Sequence, residues 1–399
     1  MNGYSVRFDN ERRPKELYTA FLALLLQIIT WRFGFFKNAD YLYAILLIVV
    51  CSYFSFLLIQ RSTRKIDGRS KLLFLLFLIP PFFGFLSNFE ISFFMVFAFT
   101  VICGLSLRDG GEYFFGIKIF LITTALATAF LAKEELITAF QASYYFSGYY
   151  GLILDDQKYL PRSTGLARIL AVIFLAFIPL LLLKSIKFDR SLFGLIAFLI
   201  VLLVLISLIQ SRGVILALFG SILFYFFVIV KRISMPRKVK FFIFSLGVIC
   251  AVGSLFFILK SGRFNEISFI TGSGRLEIWR EVISLSSPSI FGFGPSMEKI
   301  LVGFNISNGL LFGYFAHGVV GIVCGIGLYL MLIELVWREF IRTSTDFADE
   351  SIAFASILVF FIIRSLTENS FFSPGLDLCI LSTCALKLCL SCDSVRLND

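Results

Sequence analysis

The stretch LIAFLIVLLVLISLIQSRGVILALFGSILFYFFVIVKR, residues 195–232, decides the fold class of this chain. It holds two apolar runs of about twenty residues, the length that an α-helix needs to cross the hydrocarbon core of a bilayer. Only Ser211, Arg212 and Gly213 separate the two runs. The stretch therefore predicts two transmembrane helices joined by a tight turn, with Arg212 at a membrane interface.

The rest of the chain has the same character. Of its 399 residues, 58% are hydrophobic and 16% are charged, and the mean hydropathy is +0.91. Soluble domains carry about 25% charged residues, so this composition excludes a water-soluble fold. We predict an all-α, polytopic integral membrane protein of about twelve transmembrane helices. The predicted spans are 17–36, 41–59, 72–87, 89–107, 113–132, 166–183, 191–210, 214–230, 241–259, 310–336, 351–369 and 376–391.

Basic residues predict the orientation of these spans. With the N-terminus inside, the inner segments carry roughly twice as many Lys and Arg residues as the outer segments, in line with the positive-inside rule. The clearest inner loops are RSTRKIDGRSK at 61–71 and KRISMPRKVK at 231–240. Both termini are therefore predicted to be cytoplasmic, in a multi-pass protein of the plasma membrane.

The predicted spans fall into three groups separated by two long outer loops. These parts are the N-terminal transmembrane helices (1–132), an outer loop (133–165), the central transmembrane helices (166–259), a long outer loop (260–309), and the C-terminal transmembrane helices with a cytoplasmic tail (310–399). The sequence contains no internal repeat and no low-complexity tract. Since the other connections are short, any apparatus beyond the helical scaffold is predicted to lie on the outer face.

The net charge of +10 does not indicate a nucleic-acid partner, because basic inner loops that face anionic lipid headgroups account for it. The eight Cys residues lie in or at the ends of apolar segments. We expect neither disulfides nor a metal site among them, even at the pair Cys389 and Cys392. No Asp-x-Asp occurs in an outer loop, so neither a divalent cation nor another cofactor is expected.

Ionisable side chains at membrane depth are costly, so their positions indicate function. Arg212 either anchors its hairpin at the interface or holds an anionic ligand, since guanidinium groups bind phosphate through two parallel hydrogen bonds. Arg364 and Glu368 are four residues apart and can pair along one helix face, either as a structural ion pair or in a substrate cavity. Arg162 and Arg168 are candidates for contact with an anion or a sugar.

An amphipathic helix is predicted within the long outer loop, at residues 274–285. Leu276, Trp279, Val282 and Ile283 would share its apolar face. Arg275 falls in the first turn, where a cation is unfavourable against the helix dipole. A bound anion would offset that cost, and so would pairing among Arg275, Glu277, Arg280 and Glu281. The glycines of FGFGPS, at 291–296, would let the backbone approach a ligand closely.

Taken in order, several stretches resemble the bacterial O-antigen polymerase and O-antigen ligase superfamily of multi-spanning envelope glycosyltransferases. They are PRSTGLARILA (161–171), SRG (211–213), SGRLEIWREVI with SPSIFGFGPS (273–296), SNGLLFGYFAHGVVG (307–321) and, more faintly, RSLTE (364–368). The resemblance covers the C-terminal two thirds of the chain. The first 130 residues match only as apolar spans.

The resemblance implies roles for individual residues. Arg212 and Arg275 would hold the pyrophosphate of an undecaprenyl-linked glycan. Ligase members carry a His-Asn-x-x-Leu element after the long loop, and the register places Ser307 at the His and Asn308 at the Asn. His317, the one histidine of the chain, is then either a packing residue near the outer face or a contact to sugar or phosphate. A neutral serine is a poor general base without a partner, which favours a polymerase over a ligase.

The resemblance thus implies glycosyl transfer without a metal, at the outer leaflet of the inner membrane of a bacterium. A carboxylate would assist the acceptor hydroxyl, and Glu277 and Glu368 are the candidates. The product would be O-antigen of lipopolysaccharide, capsule or exopolysaccharide, and a chain-length regulator protein is a candidate partner beside the lipid bilayer. Two alternatives stay open: a ligase that transfers finished glycan to a lipid, and a non-enzymatic transporter or lipid-carrier flippase.

Overall fold

The computed structural model describes a little under half of the chain, mostly in its C-terminal two thirds. The described residues are 68–88, 163–185, 190–209, 211–232, 275–285, 290, 292–294, 297, 301–302, 306–341, 351–368, 371, 377, 380–382, 384–386 and 388–389. All regular secondary structure among these residues is helical, as the sequence predicts. The predicted spans 17–36, 41–59, 89–107, 113–132 and 241–259 lie outside the described residues, so the total of twelve stays a prediction.

Seven helices have defined bounds in the part of the chain that the structure describes. They are α1 (Gly68–Asn88), α2 (Ser163–Ser185), α3 (Arg190–Ile209), α4 (Arg212–Arg232), α5 (Arg275–Ser284), α6 (Gly309–Ile341) and α7 (Ser351–Ser365). Two of them have segments long and apolar enough to cross a membrane, Gly213–Arg232 and Gly309–Ile341. The short helix α5 is the amphipathic helix predicted in the long loop.

Helices α4 and α7 pack closely and run in opposite directions. Gly213 faces Thr367 at one end, and Gly220 faces Ile363 further along. A Cβ atom at Gly220 would lie only 2.3 Å from the Cδ1 of Ile363. Small residues at such a crossing allow two helix backbones to approach closely, which is how apolar helices associate when water provides no driving force between them.

Helix α6 is broken at Gly318, a feature that the predicted continuous span 310–336 does not include. Gly318 has φ 63° and ψ −146°, outside the helical region. Gly309 and Tyr329 both contact Ser365, although twenty residues of straight helix would separate them by about 30 Å. The nine residues before Gly318 therefore fold back beside the section that follows it.

The loop at 290–294 satisfies backbone groups that the break leaves without a helical partner. Phe293 donates its backbone N–H to the carbonyl of Phe315 at 2.8 Å, and Gly294 donates to Ala316 at 3.1 Å. In return, Val320 donates to the carbonyl of Ile290 at 3.3 Å. Unpaired backbone groups are costly in a buried or lipid environment, so these bonds are what stabilise an interrupted helix.

A buried ion pair joins α4, α6 and α7 at the end of the bundle away from Gly213. The guanidinium of Arg232 donates to Glu339, and the hydroxyl of Ser351 donates to the same carboxylate oxygen at 2.9 Å. Beside them, the Lys231 ammonium donates to the backbone carbonyl of Phe340 at 2.7 Å. This end coincides with the loops that the sequence predicts to be cytoplasmic.

Candidate functional site

Several of the stretches that carry the family resemblance come together at the other end of the bundle. Gly213 of SRG lies against Thr367 of RSLTE, where a Cβ would be 3.0 Å from the threonine hydroxyl oxygen. Gly309 of SNG lies against Ser365, with a Cβ position 3.3 Å from its carbonyl oxygen. The amide of Asn308 donates to the carbonyl of Leu366 at 3.1 Å. The sequence predicts this end of the bundle to face outward, and we therefore call the region the outer-end site, defined by residues 211–213, 307–309 and 364–368.

Asn308 begins helix α6 and fixes its position in the outer-end site. Its side-chain oxygen accepts hydrogen bonds from the backbone N–H groups of Leu310 and Leu311, both at 3.0 Å. This is an N-cap, which satisfies donors that the first turn of a helix leaves unpaired. The Asn308 side chain therefore has a structural task, whatever substrate contact it makes. The neighbouring hydroxyl of Ser307 is buried and has no hydrogen-bond partner among the described residues.

Asp377 binds two arginines from different helices, one of which, Arg364, belongs to the outer-end site. Its Oδ2 atom accepts a hydrogen bond from Arg168 of α2 and another, at 2.8 Å, from Arg364 of α7. Arg364 also lies 3.7 Å from Glu368. Both Asp377 and Arg364 are buried. This cluster joins α2, α7 and the last helical stretch at one level of the bundle.

The charges of this cluster balance, which limits what it can bind. Arg168 and Arg364 contribute two positive charges, and Asp377 and Glu368 contribute two negative ones. Cations whose charge is neutralised by neighbouring carboxylates have little net attraction for a further anion. The arrangement therefore favours the structural interpretation of Arg364, and it adds Arg168 to the same cluster, whereas the side chain of Glu368 remains about one quarter exposed.

The two arginines that the resemblance assigns to pyrophosphate binding both begin helices. Arg212 is the first residue of α4, directly before Gly213, and Arg275 is the first residue of α5. The structure describes their backbone positions: Arg212 is part of the outer-end site, whereas Arg275 is on α5 and the described contacts do not bring it to that site. Arg162 lies outside the described residues.

Of the two candidate carboxylates, Glu368 is the one within the outer-end site. Its backbone carbonyl lies 3.7 Å from a Cβ position at Gly309, and its side chain is about one quarter exposed. Glu277 is exposed on α5, one turn before the exposed Arg280. The described contacts therefore bring Glu368, Ser307 and Asn308 together with the start of α4, whereas Glu277 and Arg280 lie on a separate helix.

His317 lies at the break of α6, with only 1% of its surface exposed. Its imidazole interacts with the backbone carbonyl of Pro80 in α1. Gly292 packs so closely on this segment that a Cβ there would be 2.6 Å from the His317 backbone nitrogen. The glycine-rich loop thus approaches the backbone of α6 at this point, whereas the sequence predicts its close approach to a ligand. These contacts favour the packing interpretation of His317.

Sequence reasoning did not single out Asp377. The residue stands at the start of the last predicted span, in SPGLDLCILS at 373–382. Its position within a predicted span could have indicated it, because a carboxylate at membrane depth requires a cationic partner. Arg168 and Arg364 lie at the corresponding outer ends of two other predicted spans. Among the described residues, no group of three or more His, Cys, Asp and Glu side chains is placed to hold a metal ion.

The described part of the chain thus defines an all-helical protein with two helices of membrane-spanning length and a polar site at one end of its bundle. No protein-family model matches the chain, and no curated protein matches it either.

Proposed function

We propose that this protein polymerises lipid-linked oligosaccharide repeat units at the outer leaflet of a bacterial plasma membrane. The donor is a glycan chain on undecaprenyl pyrophosphate, and the acceptor is a sugar hydroxyl of another lipid-linked unit. The product is a polysaccharide such as O-antigen, capsule or exopolysaccharide.

The convergence of distant stretches at the outer-end site is the observation that carries this proposal. SRG, SNG and RSLTE are separated by about 50 to 150 residues in sequence, yet SRG and SNG both contact RSLTE, Gly213 at Thr367 and Gly309 at Ser365. Binding sites in membrane proteins are commonly built where a broken helix meets neighbouring helix ends, because interrupted helices present free backbone groups there. Helix α6 is broken within the stretch that follows SNG.

The proposed reaction exchanges one glycosidic bond for another. The acceptor hydroxyl attacks the anomeric carbon of the donor sugar, the bond from that carbon to the pyrophosphate oxygen breaks, and undecaprenyl pyrophosphate leaves. Glu368, the candidate carboxylate of the outer-end site, receives the hydroxyl proton. Arg212 and Arg275 neutralise the charge that develops on the leaving pyrophosphate, which is the kind of electrostatic stabilisation that lowers such barriers most.

The test is to replace Arg212 and Arg275 by Ala, one at a time, and to measure polymer length in a strain that lacks the wild-type chain. Removing one preorganised group that stabilises developing charge costs on the order of 10²–10³ in rate, so long polymer should disappear. Arg338→Ala is the matched control, because Arg338 pairs with Glu334 on an exposed helix surface at the opposite end. Full-length polymer from both stably expressed variants would overturn the proposal.

A ligase is the nearest alternative, and product size separates the two activities. Loss of a polymerase leaves single repeat units attached to their acceptor, whereas loss of a ligase leaves free lipid-linked polymer. Ser307 stands where the ligase element has its histidine, so no imidazole is supplied at that position.

A transporter or flippase is the alternative of another class, and the break in α6 is the observation that favours it. Broken helices form the substrate sites of many transporters, usually near the membrane midplane. Flipping of a fluorescent polyprenyl-diphosphate lipid by the purified protein in vesicles, without any change in glycan length, would establish this alternative.

A further inference from the structure

Helix α5 has an apolar edge that the described part of the protein leaves uncovered. Leu276 is 43% exposed and Ile283 is 60% exposed. They are seven residues apart, so they lie two turns apart on nearly the same line along the helix. Leu285 and Ile290, just beyond the helix, are also exposed, but they are not in line with this edge.

The remaining residues of α5 are arranged in sectors around the same helix. Val282 is buried and Ile278 is partly buried, and both pack against the hydrophobic core. Glu277 and Glu281 are exposed, roughly 100–140° from Leu276 at 100° per residue. The exposed Arg280 lies between the apolar edge and this acidic sector. The order around the helix is thus core, apolar edge, cation and acidic face.

The loop that follows α5 fixes the helix near one end of the membrane-spanning part of α6. Through Ile290, Phe293 and Gly294 it hydrogen-bonds to α6 on both sides of the Gly318 break. The section of α6 after Gly318 has about 23 residues and a length of about 35 Å, close to the thickness of a bilayer core. Its start therefore lies near the membrane boundary, and the loop keeps α5 at that level.

We propose that the edge formed by Leu276 and Ile283 inserts into the outer lipid leaflet, at the boundary between headgroups and acyl chains. Arg280 would then face the lipid phosphates, and Glu277 and Glu281 would face water. An apolar edge flanked by a cation, with the remaining exposed side chains charged, is compatible with a helix that lies in the membrane plane. Arg280 borders the apolar edge, so it is the exposed charge of α5 that an anionic headgroup can contact.

This lipid contact would determine the depth at which Arg275 lies relative to the membrane surface. Arg275 is the first residue of α5, so a helix lying in the interface holds Arg275 at the depth where a lipid-linked diphosphate resides. That consequence depends on the proposed function, whereas the lipid contact itself does not. The lipid contact can therefore fail or hold independently of polymerase activity.

The experiment measures which face of α5 meets lipid in the full-length chain. Trp31, Trp279 and Trp337 are the three tryptophans, and each is replaced by Phe. A single Trp is then introduced as Leu276→Trp, Ile283→Trp or, as the matched control, Glu281→Trp. All three positions are exposed, so each should tolerate the ring. The variants are reconstituted in nanodiscs of phosphatidylglycerol and phosphatidylcholine, with or without bromine on the acyl chains.

Brominated lipid should quench Trp at positions 276 and 283 at least about twofold more than Trp at position 281, because only the apolar edge reaches the acyl chains. In the Ile283→Trp background, Arg280→Gln should reduce the quenching in the phosphatidylglycerol discs and leave it unchanged in discs of phosphatidylcholine alone. Equal quenching at all three positions, or none at 276 and 283, would overturn the proposal. Blue-shifted but unquenched emission at 283 would do the same, since it would indicate a protein partner on this edge.

Discussion

At the scale of single residues, Asp377 determines what two arginines can do. One of its carboxylate oxygens accepts hydrogen bonds from both Arg168 and Arg364, which come from helices α2 and α7. Without Asp377 the two arginines would have only Glu368 nearby, and one positive charge of the cluster would be uncompensated. The carboxylate therefore allows two cations to lie at one level of the bundle, and it binds their helices to the last helical stretch.

Asp377→Asn should destabilise the protein by roughly 3–5 kcal/mol, the cost of removing one partner from a buried ion pair. The neutral amide keeps the shape of the carboxylate but leaves an unbalanced positive charge between α2 and α7. Thermal unfolding of the purified protein in detergent measures the effect. Replacing Arg168 by Gln in the Asp377→Asn background removes the excess cation, and it should restore part of the lost stability.

Glu334→Gln is the matched control for this change. Glu334 pairs with Arg338 at 2.5 Å, but it is about half exposed and the pair lies within a single helix. Exposed pairs of this kind contribute about 0–1 kcal/mol, so the unfolding temperature should hardly move. Similar losses from Asp377→Asn and Glu334→Gln would contradict the assignment of Asp377 to a buried cluster.

The sequence predicts the start of a helix where local residues determine it. The start of α4 next to Gly213 and the start of α5 near residue 274 follow from hydrophobic periodicity and the turn residues before each helix. Arg364 has two acidic partners, and the sequence predicts only one of them. Glu368 is four residues away in sequence, whereas Asp377 comes close only because separate helices pack together. Pairing between helices depends on tertiary contacts, which one sequence does not display.

At the scale of elements, the break in α6 and the loop at 290–294 form one unit. Gly318 and Gly292 both have positive φ angles, 63° and 74°. The loop donates to carbonyls that the break has freed, so each of the two irregular segments satisfies the backbone of the other. The sequence predicts flexible glycine turns at FGFG, but the apolar run around Gly318 has the pattern of an unbroken span. Nothing in its periodicity indicates the break.

Gly318→Ala and Gly292→Ala should each destabilise the protein, by about 1–3 kcal/mol from the backbone conformation alone. Gly318 has a φ and ψ combination that L-residues rarely adopt. At Gly292 a Cβ would in addition lie 2.5 Å from the backbone nitrogen of Gly318, so the loop would have to move away. Unfolding temperature in detergent measures both variants, with polymer length measured in cells as a second observable.

Gly194→Ala provides the comparison for these glycine variants. Gly194 lies inside α3, and a Cβ there would have no heavy atom within 4 Å. Removing a glycine from a helix interior should stabilise the protein by about 0.5–1 kcal/mol. Unchanged stability of Gly318→Ala and Gly292→Ala beside this control would show that the two segments are not coupled as described.

At the scale of the whole molecule, the two ends of the helical bundle differ in chemistry. One end holds Arg232, Glu339 and Ser351, next to the basic loop that begins at Lys231. The opposite end holds the outer-end site, and the loop that follows α5 docks near that same end of α6. Since α4 and α7 are antiparallel, placing either end fixes the other. Basic loops are retained on the cytoplasmic side of a membrane, so the end at Arg232 is predicted to be cytoplasmic.

Reporter fusions test this orientation directly. Alkaline phosphatase fused after residue 287, between α5 and its docked loop, should be active because it folds only outside the cytoplasm. Alkaline phosphatase fused after residue 345, between α6 and α7, should be inactive because this connection is predicted to be cytoplasmic. Green fluorescent protein fused at the same position should be fluorescent. The contrast is expected because the 231–240 loop carries five basic residues, Lys231, Arg232, Arg237, Lys238 and Lys240, and these resist translocation. The opposite pattern would place Arg212, Glu368 and α5 in the cytoplasm, where an extracytoplasmic glycan cannot reach them, and the polymerase proposal would fail with it.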